Sequence, residues 1–156
     1  MVYNSPMLNR LKTLLAGPSG PEPPSPEARG RLAVASLMLA LARSDDTYSP
    51  EEAAAIRHVL KDGLGVPGGE LDALLAEADE ARAQSIDLWG FTNSIKTAWP
   101  REERYRILVL LWRVVFADGA LGRHEDHLMH ALADLLGFSH RELIQAKLEA
   151  KEAPRP

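Results

Sequence analysis

Apolar residues recur at helical spacing along most of the chain, and no stretch alternates as a half-buried strand would. Two segments, residues 31–43 and 105–117, are apolar on nearly all sides and therefore predict central, buried helices. The remaining helical segments carry one apolar face each, which suits helices packed around a core. The pattern predicts an all-α fold, a compact bundle of seven to eight helices.

Capping residues mark where several of these helices begin and end. Ser49, followed by Pro50 and then Glu52, has the sequence of a capping box with proline at the first helical position. Ser139 and Glu142 form a second capping-box signature, and Gly137 suits the end of the helix before it. The three tryptophans lie within apolar helical patterns, which predicts that they belong to the core: Trp89, Trp99 and Trp112.

A proline-rich segment divides the chain. Residues 17–26, GPSGPEPPSP, cannot propagate a helix and suit a linker. Residues 1–16 before it contain a short amphipathic helix, whose apolar positions are Met7, Leu8, Leu11, Leu14 and Leu15. Residues 27–151 after it form the helical domain, and residues 152–156 are expected to fray.

Composition and charge narrow the functional class. The 156 residues contain 46% apolar and 26% charged residues, a balance typical of a folded domain. The absence of cysteine excludes disulfides, thiolate metal sites and a cysteine nucleophile. A net charge of −4 argues against nucleic-acid binding. Neither a signal peptide nor an apolar run of the roughly 20 residues that span a membrane is seen, so we expect a soluble, unprocessed, cytoplasmic protein.

An internal repeat emerges when the chain is compared with itself at an offset of 73 residues. Asp45 then aligns with Asp118, and Glu52 aligns with Glu125. The flanking apolar positions also align, in the pairs Val34 with Ile107, Leu37 with Leu110, Met38 with Leu111, Ile56 with Met129, Val59 with Leu132 and Leu60 with Ala133. The alignment predicts two pseudo-repeated helix-loop-helix halves.

The second half carries a family resemblance. Residues 116–119 (FADG), 125–128 (EDHL) and 133–137 (ADLLG) resemble the signature of the tellurite-resistance TerB-like proteins. Further similar positions lie over nearly the whole chain, at residues 7–12, 91–95, 103–104, 111–112 and 144–147. The resemblance implies an all-helical bundle of two pseudo-equivalent halves and a bacterial, mostly cytosolic protein. It also implies a link to stress or toxic-oxyanion resistance, acidic loop residues suspected of metal binding, and no settled reaction.

The acidic residues of the two loops are the candidate metal ligands. Hard cations such as Ca²⁺ or Mg²⁺ prefer several oxygen ligands, and the loops offer Asp45, Asp46, Glu52, Asp118, Glu125 and Asp126. Helix capping is the favoured interpretation, since glutamate at the third helical position bonds back to the cap amide. Two departures from the family pattern bear on this choice. The first loop reads Ser-Asp-Asp at residues 44–46 where the family usually has Ala-Asp-Gly. In the second loop, Gly122 occupies a position where the family commonly has an acidic residue.

The histidines and the N-terminal segment offer weaker signals. His124, His127 and His130 are spaced by three, so their rings diverge around the helix and surface positions are favoured over a metal cluster.

For residues 7–15, docking on the protein's own body or on a sister chain in a homodimer is favoured over peripheral membrane contact, because Arg10 and Lys12 give little electrostatic binding. The sequence leaves open whether the protein binds a protein partner or joins a membrane-associated complex.

The preferred functional hypothesis is a non-enzymatic interaction or sensing module of the TerB-like type that uses its acidic loops or surface for binding, with a divalent cation as the candidate ligand. No phosphate-binding loop or catalytic triad is visible in the sequence. The alternative is a metalloenzyme that uses carboxylates and histidines inside a helical bundle. That alternative needs inward-facing Glu-x-x-His pairs, which the sequence lacks.

Overall fold

The computed structural model describes residues 24–42, 49–84, 87–118 and 123–152. Within these ranges the chain forms seven α-helices and no strand, which confirms the all-α prediction. The helices are α1 Pro26–Ala42, α2 Pro50–His58, α3 Leu71–Gln84, α4 Leu88–Ala98, α5 Arg101–Val115, α6 Arg123–Leu136 and α7 His140–Glu152. No helix in the described ranges is long and apolar enough to cross a membrane.

Helices α1 and α5 form the centre of the bundle, as their apolar sequences predict. Residues 33–42 of α1 are all buried, and so are most residues from Ile107 to Val115 of α5. Helices α3 and α4 pack against α1, while α7 packs against α5. The close approach of α1 and α4 depends on Gly30, where an added Cβ would lie 2.6 Å from the Trp99 ring and 2.7 Å from the Ala98 Cβ.

The predicted caps are present. The Glu52 amide donates to the Ser49 hydroxyl at 3.1 Å, and the Ser49 amide donates to the Glu52 carboxylate at 3.3 Å. The same reciprocal pair joins Ser139 and Glu142, at 3.2 Å and 3.0 Å. Gly137 ends α6 with a φ of 89°, the left-handed conformation that favours glycine.

Helix α5 begins at Arg101, four residues before the apolar pattern starts. The residues between, Arg101 to Arg104, are polar and do not contribute to the apolar face, but Glu102 and Glu103 favour a helix N-terminus. Arg101 also holds the turn after α6, since its guanidinium donates to the Gly137 carbonyl at 2.8 Å and lies 4.6 Å from the centre of the Phe138 ring.

One core prediction is wrong. Trp112 is fully buried and Trp99 is partly buried against the core, but Trp89 is 65% exposed. Helix α4 buries the face that contains Thr92 and Ile95, and Trp89 lies roughly a quarter turn away from that face. Its aromatic character fits the apolar pattern, although its angular position does not.

Candidate functional site

The two glutamates paired by the internal repeat occupy equivalent places in the structure. Helix α2 begins at Pro50 and α6 begins at Arg123, so Glu52 and Glu125 are each the third helical residue. Both are buried, with relative exposures of 4% and 3%. They are two of only four polar or charged residues buried in the described ranges.

Glu142 shows what capping alone requires. It is also the third residue of its helix and completes a capping box. Its side chain is nevertheless 31% exposed, and its carboxylate accepts a hydrogen bond from the Arg101 guanidinium at 2.6 Å. The backbone hydrogen bond from Ser139, and then Arg101, lower the pKa of this carboxyl. Capping therefore does not require burial, and the burial of Glu52 and Glu125 has another origin.

The contacts of helix α2 are relevant to Glu52, which lies in that helix. Helix α2, which follows the first loop, packs against the short 3-10 helix Phe116–Asp118, which begins the second loop. Asp118 is the last residue of this 3-10 helix, and its side chain lies outside the described part of the structure. Asp45 and Asp46 also lie outside the described residues.

The remaining acidic candidate, Asp126, faces the outside of α6. Its carboxylate lies 3.6 Å from the Nε2 atom of His130, one helical turn away, and its side chain is 43% exposed. Across residues 24–42, 49–84, 87–118 and 123–152, no three histidine or acidic side chains lie in an arrangement that could hold a metal ion. Any cation site at the loops therefore needs ligands from Asp45, Asp46 or Asp118.

Two histidine contacts were not predicted. His58 lies 3.0 Å from Asp62, a pair four residues apart that helical spacing could have indicated. His130 stacks on His140 with ring centres 5.2 Å apart, and the two rings line an open cleft between α6 and α7. The second contact joins residues on different helices, so spacing along the chain gives no signal for it. His127 and His130 are both exposed.

Comparison with known proteins identifies the family. The model of a family described as tellurite resistance protein TerB matches residues 31–148, from the second turn of α1 to near the end of α7. The chain belongs to the TerB family. No curated protein and no solved structure matches it significantly.

The residues paired by the 73-residue offset share a common environment in this TerB chain. Each of the six apolar pairs is buried on both sides, and so is the Glu52 and Glu125 pair. The second acidic pair, Asp45 and Asp118, cannot be compared because neither side chain lies in the described part. Shared burial does not establish the pseudo-repeat, which stays a prediction.

Proposed function

We propose that this TerB protein is a non-enzymatic binding module whose two acidic loops together take up a divalent cation, Ca²⁺ or Mg²⁺, and signal its presence to a partner. The observation that supports the proposal is the burial of Glu52 and Glu125 at equivalent helix starts. The ligand set is completed by Asp45, Asp46, Asp118 and, at the outer edge, Asp126.

The physical argument rests on the cost of burying carboxylates. A buried carboxylate is costly unless hydrogen bonds or a positive charge compensate it. Both glutamates have interaction partners within the protein, and a cation would add to those contacts. Oxygen-rich loops of this composition suit hard cations better than transition metals.

A cation at the loops would also couple binding to conformation. The first loop joins α1 to α2, and the second joins α5 to α6, so a shared ion would link both halves of the bundle. Binding would then stabilise one arrangement of the two loops and the surface around them. We propose that this surface is what a partner recognises in a cytoplasmic stress response, of which tellurite resistance is the example in the family's name.

The experiment is thermal unfolding of chelator-treated protein with Ca²⁺, Mg²⁺, Mn²⁺ or Zn²⁺ added singly. An ion at 100 times its dissociation constant stabilises the native state by about 2.7 kcal/mol. For a domain of this size, that stabilisation raises the unfolding midpoint by roughly 5 to 10 °C. We expect Ca²⁺ or Mg²⁺ to produce this increase in the wild type.

Two variants locate the effect. Asp118→Asn removes one carboxylate from the second loop and should abolish most of the increase. Glu80→Gln removes an exposed charge from α3 that is outside the proposed ligand set, and it should leave the increase intact. The cation proposal fails if no ion shifts the wild type, and the assignment to the loops fails if Asp118→Asn responds as the wild type does.

A further inference from the structure

Two apolar side chains lie on the outside of α7 rather than in the core. Leu148 is 54% exposed and is one of two large apolar residues exposed in the described ranges. Ile144 is only partly buried and is not among the residues that pack against the core. The two residues are one helical turn apart, and their directions around the helix axis differ by about 40°. They therefore form one apolar patch on the outer face of α7.

A charged residue lies beyond each end of this patch. Arg141 and Glu152 are both exposed, and each lies within about 40° of Leu148 around the helix axis. Across the described ranges, neither residue forms an ion pair with another part of the protein. The outer face of α7 therefore has a stripe with a positive end, an apolar middle and a negative end. The α7 stripe consists of Arg141, Ile144, Leu148 and Glu152.

The two lysines beside the stripe are turned towards the body of the protein. The ammonium group of Lys147 lies 5.3 Å from the centre of the Trp112 ring, and that of Lys151 lies 5.5 Å from the centre of the Phe116 ring. These cation–π contacts hold the lysines over α5 and the short helix that follows it. The charges along the stripe itself are therefore one positive and one negative.

The α7 stripe is complementary to a reversed copy of itself. The midpoint between Ile144 and Leu148 is residue 146. The midpoint between Arg141 and Glu152 is half a residue further on, or about 0.75 Å along the helix axis. One twofold axis at this level would place each Ile144 opposite Leu148 of a second copy. The same axis would place each Arg141 opposite Glu152, whereas a parallel arrangement would bring like charges together.

Other occupants fit the α7 stripe less well. A wholly acidic or wholly basic protein segment would complement one end of the stripe and be repelled at the other. Residues 7–15 contain Arg10 and Lys12 but no acidic residue, so they would complement Glu152 and be repelled by Arg141. An anionic membrane surface would be repelled by Glu152. A second copy of the chain is the occupant that satisfies both ends.

We propose that the α7 stripe is a homodimer contact, at which two copies of this chain pair with their α7 helices antiparallel about a twofold axis near residue 146. In such an isologous contact, both chains use the same surface. One helix of about 20 Å from each chain buries less than the roughly 1,200 Å² of a stable interface. The dimer is therefore weak and forms at high protein concentration. This inference does not depend on the cation proposal.

Sedimentation equilibrium of the full-length chain at increasing concentration measures the association. We expect the average mass to rise from 17.1 kDa towards twice that value. Leu148→Asp should remain monomeric at every concentration, and its circular dichroism should match that of the wild type because the side chain is mostly exposed. Asn93→Asp adds the same charge at an exposed position of α4 and should associate as the wild type does.

Charge exchange tests the twofold arrangement. Arg141→Glu and Glu152→Arg each place like charges opposite one another at both ends of the contact. Each variant alone should therefore dimerise about tenfold more weakly than the wild type. An equal mixture of the two variants restores both pairs of opposite charges, so it should associate with the dissociation constant of the wild type.

Three results would overturn the proposal. The first is a wild type that stays monomeric at all concentrations. The second is association of Leu148→Asp equal to that of the wild type; if deletion of residues 1–16 then abolished it, the dimer contact would belong to the N-terminal segment. The third is a mixture of the two charge variants that associates no better than either variant alone, which would contradict the antiparallel pairing.

Discussion

Replacing Gly30 with alanine sets two effects against each other. Alanine in a helix interior is more favourable than glycine by about 1 kcal/mol. The added Cβ, however, would lie within 3 Å of the Trp99 ring and of the Ala98 Cβ. The ring can rotate, because it is the end of a side chain, but the Ala98 Cβ moves only with the backbone of α4.

Overpacking of this kind costs typically about 2 kcal/mol. After the gain in helix propensity, we expect Gly30→Ala to reduce the free energy of unfolding by about 1 kcal/mol, which lowers the unfolding midpoint by roughly 2 to 4 °C. The measurement is urea unfolding followed by circular dichroism. Gly69→Ala is the matched control, since nothing lies within 4 Å of its added Cβ, and it should not destabilise the protein.

A double variant separates the steric cause from other effects of Gly30→Ala. Ala98→Gly removes the atom that the new Cβ meets, so it should cost less in the Gly30→Ala background than in the wild type. A rise in the unfolding midpoint for Gly30→Ala would refute the reasoning, because it would show that α1 and α4 separate at negligible cost.

Three further results are expected. Burial, and then the negative charge of Glu149, raise the pKa of Tyr105 to about 12. The contribution of neutral Tyr105 to the free energy of unfolding should therefore be complete below pH 10 and lost as the pH rises towards 12. Tyrosinate absorbance, compared with that of Tyr105→Phe, measures the titration. Ser49→Ala removes a hydroxyl that caps α2 and should cost about 1 kcal/mol in urea unfolding. Arg101→Ala should raise the pKa of Glu142 in a carboxylate NMR titration without restoring its ordinary value, because the larger effect, the hydrogen bond from the Ser139 backbone, remains.

The sequence predicted those features of the fold that depend on neighbouring residues. The two capping boxes, the glycine at the end of α6 and the two all-apolar helices are local patterns, and the structure has each of them. The prediction for Trp89 is wrong because residue type alone does not give the angle of a side chain around its helix. Arg101 donates hydrogen bonds to Gly137 and Glu142, which lie 36 and 41 positions further along the chain. Spacing along the chain does not reveal such contacts.

The same distinction separates the two explanations of the acidic loops. That Glu52 and Glu125 are third helical residues follows from the caps and can be read from the sequence. That they are buried depends on tertiary packing, and the one such contact described at α2, with Phe116–Asp118, joins segments more than 50 residues apart. Glu142 has the same place in its helix, and its carboxylate is accessible to solvent and to Arg101. Capping therefore explains where all three glutamates occur but not why two of them are buried, and it is this burial on which the cation proposal rests.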